Sequence, residues 1–248
     1  MTVTPAASSR SEVSSDSIHL SVQDTSASLP RPVAEALDYQ PMSEFSESYH
    51  LEADDQQDGL RLLRRANLDG FVFPPQHGWV TIIPRSEFGT PPERLLEGNE
   101  GCLLRYLLDQ DAGWMFAVYT GPILACYYEC RWLDWSDPEN RIKVDASGVD
   151  VELVWALAQR HGHDPQLLEL ERILHPRIVR RTGQETGEPY DHFVDWAWKH
   201  EVAYAFAELV ALPHYVWLRW WDDLSDAENW IQNGAVKVGS RPRPIPPR

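Results

Sequence analysis

WMFAVYT, residues 114–120, decides how this chain folds. Read as a strand, it sends Trp114, Phe116 and Val118 to one side and Met115, Ala117 and Tyr119 to the other, because successive side chains alternate. Both sides are largely apolar. A strand with one wet face alternates apolar with polar, so this one belongs inside a sheet that is covered on both faces.

The neighbouring residues supply the sheet. CLLRYLL (102–108), a DQDAG turn, the central strand, a GP turn and ILACYYECRW (123–132) form an antiparallel meander. In the last of these strands Cys126, Tyr128, Cys130 and Trp132 alternate with Ala125, Tyr127, Glu129 and Arg131. Four residues of strand separate the sulfurs of Cys126 and Cys130 by about 13 Å, too far for a disulfide or for one zinc ion. The three cysteines therefore read as buried structural thiols.

Upstream, SYHLEA (48–53) predicts a short strand and residues 54–70 a helix, with Asp54 as N-cap, Leu62, Leu63 and Ala66 as its apolar face and Gly70 past its end. GFVF (70–73) and GWVTIIP (78–84), joined through PPQHG (74–78), form a hairpin. TPPERLLEG (90–98) is a short helix with a capping box from Thr90 to Glu93.

Downstream, helices cover the sheet. Residues 150–162 carry Asp150 as N-cap, Leu153, Val154, Leu157 and Ala158 at helical spacing, and Gly162 as terminator. Residues 163–176 restart with Asp164 and Pro165. The stretch 177–189 reads as a surface loop, and a long helix is expected from Tyr190 to Ala211. Residues 1–40, with nine serines before Pro30, lack the apolar side chains to form a core and are expected to be disordered. Residues 231–248 end in GSRPRPIPPR, a flexible polyproline-prone tail. Between them, 41–230 should form one α+β domain: an antiparallel sheet of five or six strands from the first half, covered by helices mostly from the second half.

The formal charge of the 248 residues is −16. With −3 on residues 1–40 and +4 on 231–248, the intervening domain carries −17. Such a surface repels nucleic-acid phosphates and favours a protein partner with a basic surface. No signal peptide and no apolar run of transmembrane length occurs, which makes a cytoplasmic location without membrane contact the expectation. There is no G-x-S-x-G, no G-x-x-x-x-G-K-[ST], no G-x-G-x-x-G and no C-x-x-C, so the usual support for acyl transfer, nucleotide chemistry and thiol redox chemistry is missing.

One motif comes close to a known chemistry. In WKHEVAYAF (198–206), His200 and Glu201 occupy the first two positions of a zinc-protease helix, but Tyr204 stands where the second imidazole belongs. On a helical wheel His200 falls within the apolar stripe of Phe193, Trp196, Ala197, Tyr204, Ala207 and Ala211, the position of a buried, hydrogen-bonded histidine. Val194, Trp198, Val202, Phe206 and Leu209 add a second apolar face, which leaves room for an oligomer interface. RHGHDP (160–165) has metal-ligand residue types, yet each residue has a role as helix cap or terminator. No metal and no cofactor is expected.

Two stretches, WLDWSD (132–137) and WLRWWDD (217–223), combine tryptophan with carboxylates. If exposed, Trp132, Asp134, Trp135, Trp217, Trp220, Trp221, Asp222 and Asp223 would form an anchor surface of the kind that dominates protein interfaces, or stack on sugar rings. The chain therefore reads as a non-catalytic acidic binding module, an inhibitor, immunity-type partner or accessory subunit. The alternatives are an enzyme with a hydrolase-like site assembled from His77, Asp195, His200, Glu201 and Tyr204, and a carbohydrate-binding module.

Overall fold

The computed structural model describes residues 45–132, 139, 141–162, 166–183, 189–215 and 227–239. The serine-rich leader lies outside the described residues. The chain is α+β, and its main sheet is antiparallel throughout.

The meander forms as its alternation requires: β4 (Cys102–Asp109), β5 (Gly113–Thr120) and β6 (Ile123–Arg131) pair in sequence order. On the other flank, β2 (Gly70–Val72) and β3 (Trp79–Pro84) make the hairpin. Between the two lies β1 (Phe45–Glu52), which pairs with β3 and β4 and so occupies the middle of the sheet. Two short strands extend the edges: β7 (Lys143–Asp145) beside β6, and β10 (Val236–Val238) beside β2. The sheet thus has eight strands in the order β10-β2-β3-β1-β4-β5-β6-β7. The six expected strands are its centre, and β7 and β10 are the two additions. Residues 231–239, assigned above to a flexible tail, instead hold the end of α6 (Ala227–Gln232) and β10. The open backbone of β2 gives Val236 to Val238 their hydrogen-bond partners.

Both faces of β5 are buried. Trp114, Phe116 and Val118 join a core with α3 (Val151–His161), α4 (Leu167–Leu174) and α5 (Glu201–Leu209). Met115, Ala117 and Tyr119 join a second core with α1 (Gln56–Ala66) and α2 (Glu93–Glu97). The aromatic centre of the first core stacks Phe116 on Phe206 at 4.1 Å and 11°, with Trp114 and Tyr128 alongside. A third group, Phe71, Phe73, Ile83 and Trp230, seats α6.

Local boundaries shift where another group caps better. Asp55, one residue after the expected Asp54, accepts from the Gln57 amide at the start of α1, and Asn67 ends that helix in the left-handed region. Pro92 rather than Thr90 precedes α2, with no side-chain cap. Asp150 caps α3 as expected, accepting from the Leu153 amide.

The largest departure is at 177–211. Residues expected as a loop and the first turns of a helix form an antiparallel hairpin of β8 (Ile178–Thr182) and β9 (Pro189–Phe193), and the helix is confined to α5. Arg180 pairs with Asp191 directly across the hairpin at 3.0 Å, and Phe193 and Asp191 are buried against the body. The helical spacing of Phe193, Trp196 and Ala197 is real, but strand pairing overrides it.

Candidate functional site

β1 is the unusual element, because a central strand carries polar side chains on both faces. On one face Ser46, Ser48 and His50 are fully buried; on the other lie Glu47 and Tyr49. Burial makes unpaired polar groups costly, and all but Ser46, whose hydroxyl has no hydrogen-bond partner among the described residues, find partners inside the protein.

His50 does so through neighbours. Its Nε2 lies 2.9 Å from Ser48 Oγ, two residues away on the same face, and its Nδ1 lies 3.2 Å from Oγ1 of Thr81, its direct cross-strand partner on β3. Burial, with a smaller contribution from His214, lowers its pKa to about 3, so the ring is neutral at pH 7. A Ser–His contact is the geometry of a nucleophile and its base. Here no surface of either residue reaches solvent, and the second ring nitrogen meets a hydroxyl rather than an orienting carboxylate. The contact that crosses between strands is the one from His50 to Thr81, which ties β1 to β3.

On the opposite face Glu47 and Arg105 form an ion pair with side chains 2% and 5% exposed. Arg105 Nε donates to Glu47 Oε1 at 2.9 Å. Nη2 is 2.8 Å from the same oxygen but out of line for a hydrogen bond, so it contributes Coulomb attraction only. The Tyr49 hydroxyl donates to Oε1 and the Gly89 amide to Oε2. Burial first, then the Glu47 charge, pushes the Tyr49 phenol well above its ordinary range.

The titratable groups that approach the surface gather at the end of β1. Glu52 forms an ion pair with Arg160 Nε at 3.3 Å and faces His161 Nε2 at 3.2 Å, while the Cys102 thiol at the start of β4 hydrogen-bonds to it. His161 Nδ1 lies 2.9 Å from the His77 carbonyl oxygen, which can only accept, so Nδ1 is the donor in that contact. That carbonyl is presented by a two-residue turn in which His77 and Gly78 both have positive φ, 52° and 79°, closed by reciprocal hydrogen bonds between Gln76 and Trp79. Gly78 is required twice over. Its φ favours glycine, and a Cβ there would stand 2.7 Å from His161 Nδ1.

Beside this cluster a cleft of about 320 Å³ opens between α1 and the loop before β4, with Leu51 and Leu62 in its floor and Glu52, Arg61, Arg65 and Glu100 around it. Its charges are internally matched: Arg61 pairs with Asp58, and Arg65 with Glu100 at 2.6 Å. Burial, then Glu52, pushes the Cys102 thiol up to about 12, so it is a protonated thiol and not a nucleophilic thiolate at neutral pH. Cys126 and Cys130 are likewise raised by burial. Among the described residues no group of three His, Cys, Asp or Glu side chains is placed to hold a metal ion.

The residues singled out from sequence are scattered. His200 and Tyr204 do meet, with ring centroids 5.3 Å apart. His200 is not in the middle of a helical stripe, however; it is the half-buried N-cap of α5, its pKa lowered by burial and partly restored by Glu201. Glu201 turns back to accept from the Ala197 and Trp198 amides, and Asp195 lies 3.8 Å from Arg172. His77 sits in the turn before Trp79, whose indole donates to the Val210 carbonyl at the far end of α5. Ten residues of helical rise put His200 roughly 15 Å from that contact, so His77 and His200 do not share a site. Trp132 is 3% exposed and donates to the Gln110 carbonyl; it completes the core instead of presenting an anchor. Asp134, Trp135, Trp217, Trp220, Trp221, Asp222 and Asp223 lie outside the described residues, as do residues 163–165 of the RHGHDP stretch.

Glu52 and His50 were not reached from sequence; His161 was read only as a helix-terminal residue, and Cys102, read as a buried structural thiol, is only partly buried. The available signal was the polar alternation of SESYHLE in a strand that the rest of the sheet forces to the centre. Comparison with protein-family models, with curated proteins and with solved structures gives no match.

Proposed function

We propose that the protein is a non-catalytic acidic binding module that docks on another protein, as an inhibitor, immunity-type partner or accessory subunit. The observation that carries this reading is a concentration of exposed apolar side chains. Of thirteen large hydrophobics exposed among the described residues, seven lie between 167 and 198: Leu167 and Leu168 on α4, Ile178 and Val179 on β8, Tyr190 and Val194 on or beside β9, and Trp198. Leu168 and Trp198 are 68% and 66% exposed. Single exposed apolar residues are ordinary, but so many from one short stretch are the raw material of an interface.

The titratable groups support the same reading. Cys102 is held as a thiol, His50 is sealed in the sheet, and both ring nitrogens of His161 are engaged. No helix of the described residues is long and apolar enough to cross a membrane. The overall charge of −16 steers basic protein bodies towards the rest of the surface.

The test is affinity capture with the full chain, followed by titration calorimetry of any recovered protein in purified form. A defined partner whose affinity falls about tenfold or more with Leu168→Ser plus Trp198→Ser is the expected result. A purified partner that binds the double variant as tightly as the wild type overturns the assignment of this stretch, and failure of every recovered protein to bind in purified form overturns the function.

A further inference from the structure

The strand β8 stands out within that stretch. All five of its residues, Ile178, Val179, Arg180, Arg181 and Thr182, are exposed, and it is an end strand of a two-stranded sheet. The Val194 amide donates to the Arg177 carbonyl, which fixes the phase of the hairpin: Arg177, Val179 and Arg181 bond to β9, while the N–H and C=O groups of Ile178, Arg180 and Thr182 point away from it. Among the described residues these outward groups have no backbone partner. An uncovered strand edge presents unpaired N–H and C=O groups that can recruit another strand.

We propose that β8 is a docking edge for an extended acidic segment of a partner protein, added as a third antiparallel strand. This rests on the reading of residues 167–198 as the interacting stretch and names the chemistry of what it takes. Charge selects the occupant. In a molecule of net charge −16, this edge carries Arg177, Arg180 and Arg181 within five residues. Arg180 is committed to Asp191 and the Glu139 carbonyl, but Arg177 and Arg181 make no ion pair among the described residues and project from the outer face of the hairpin with Val179 between them.

A second copy of the same chain fits poorly. Antiparallel pairing of β8 with itself about its centre sets Arg180 opposite Arg180, and like charges directly opposite destabilise a sheet. Nucleic acid is opposed by the charge of the whole molecule. An added strand that places carboxylates across from Arg177 and Arg181 and an apolar residue across from Val179 satisfies the outward amides and both guanidinium groups at once. Because alternate residues share a face, that pattern reads acid-x-apolar-x-acid.

The probe is a fluorescein-labelled nine-residue peptide of threonines with Glu at its third and seventh positions and Val at its fifth, compared with the same peptide carrying Lys for Glu, and titrated into the full chain by fluorescence anisotropy. The Glu peptide should bind more tightly than the Lys peptide. Arg177→Glu plus Arg181→Glu, two exposed positions whose exchange leaves the core intact, should weaken the Glu peptide about tenfold or more and favour the Lys peptide. Hydrogen exchange at the Ile178, Arg180 and Thr182 amides should slow in the complex. Equal affinity for both peptides, insensitivity to the charge reversal, unchanged exchange at those three amides, or tighter binding of a poly(U) oligonucleotide than of the Glu peptide would each overturn the proposal. If a partner found by capture still depends on Leu168 and Trp198 while the Glu peptide fails, the docking function stands and the β8 edge is refuted.

Discussion

Arg105→Met tests whether the buried charges of β1 and β4 behave as a pair. Glu47 keeps two donors in the variant, the Tyr49 hydroxyl and the Gly89 amide, but loses the only guanidinium facing it among the described residues. Removing one partner of a buried ion pair costs about 3–5 kcal/mol because the remaining charge is left uncompensated. With two hydrogen bonds to Glu47 retained, the lower end is expected, about 3 kcal/mol. At about 2–4 °C of melting temperature per kcal/mol for a domain of this size, that is a fall of roughly 10 °C. Urea unfolding at pH 7 followed by tryptophan emission should show a lower midpoint with an unchanged slope. Glu47→Gln plus Arg105→Met removes both charges, and most of the loss should return. The reasoning is refuted if the single variant lies within about 1 kcal/mol of the wild type, since the pair would then be screened like a surface one. It is equally refuted if the double variant is as unstable as the single, since packing and not charge would then be the cause.

His50 predicts a pH dependence. Its pKa falls from 6.5 in the unfolded chain to about 3 in the fold, so between these values the unfolded state binds the extra proton and stability declines as pH drops. The slope from this group reaches about 1.4 kcal/mol per pH unit, is absent above pH 7 and levels off below pH 3. Urea titrations at pH 7, 6 and 5 should show it in the wild type and a shallower decline in His50→Gln; parallel declines would sink the assignment. Gly78→Ala forces a side chain into the left-handed region and against His161, so it should cost about 1–2 kcal/mol or more and abolish the His161 Nδ1–H signal in proton NMR. A sharp, unshifted imidazole resonance would mean that the turn does not hold that ring. Phe206→Ala removes the ring stacked on Phe116 and should lower stability by about 3–5 kcal/mol in chemical denaturation, and a loss below about 1 kcal/mol would place Phe206 outside the core.

The part of the fold that could be read from sequence is the part written in local period. WMFAVYT has period two with apolar residues in both phases, and only a covered central strand satisfies that. The three-residue strands β7 and β10 have too few residues to show a period. They exist because β6 and β2 offer backbone groups that need partners. The hairpin of β8 and β9 was hidden for a different reason: Phe193, Trp196, Ala197 and His200 share a helical spacing by coincidence, and the competing signal is a cross-strand pair, Arg180 with Asp191, eleven residues apart. The polar cluster is more distant still. Glu52 and His161 are separated by 109 residues, so no window of sequence contains both, and only the sheet, by ending β1 beside the last turn of α3, brings them together.

Trp132 shows the opposite kind of error, in which the information was present. The same alternation that buries Cys126, Tyr128 and Cys130 puts Trp132 on their side of β6, so its chemistry as an interface residue was outweighed by its phase. The surface argument inverts this. Net charge averages over the chain and directs attention to basic partners, yet an interface responds to the charges within about a Debye length of it, about 8–10 Å at physiological salt. On that scale Arg177 and Arg181 flank Val179 on one face of the hairpin. The strand pairing of β8 decides that both point the same way, and therefore decides the sign of what this edge attracts.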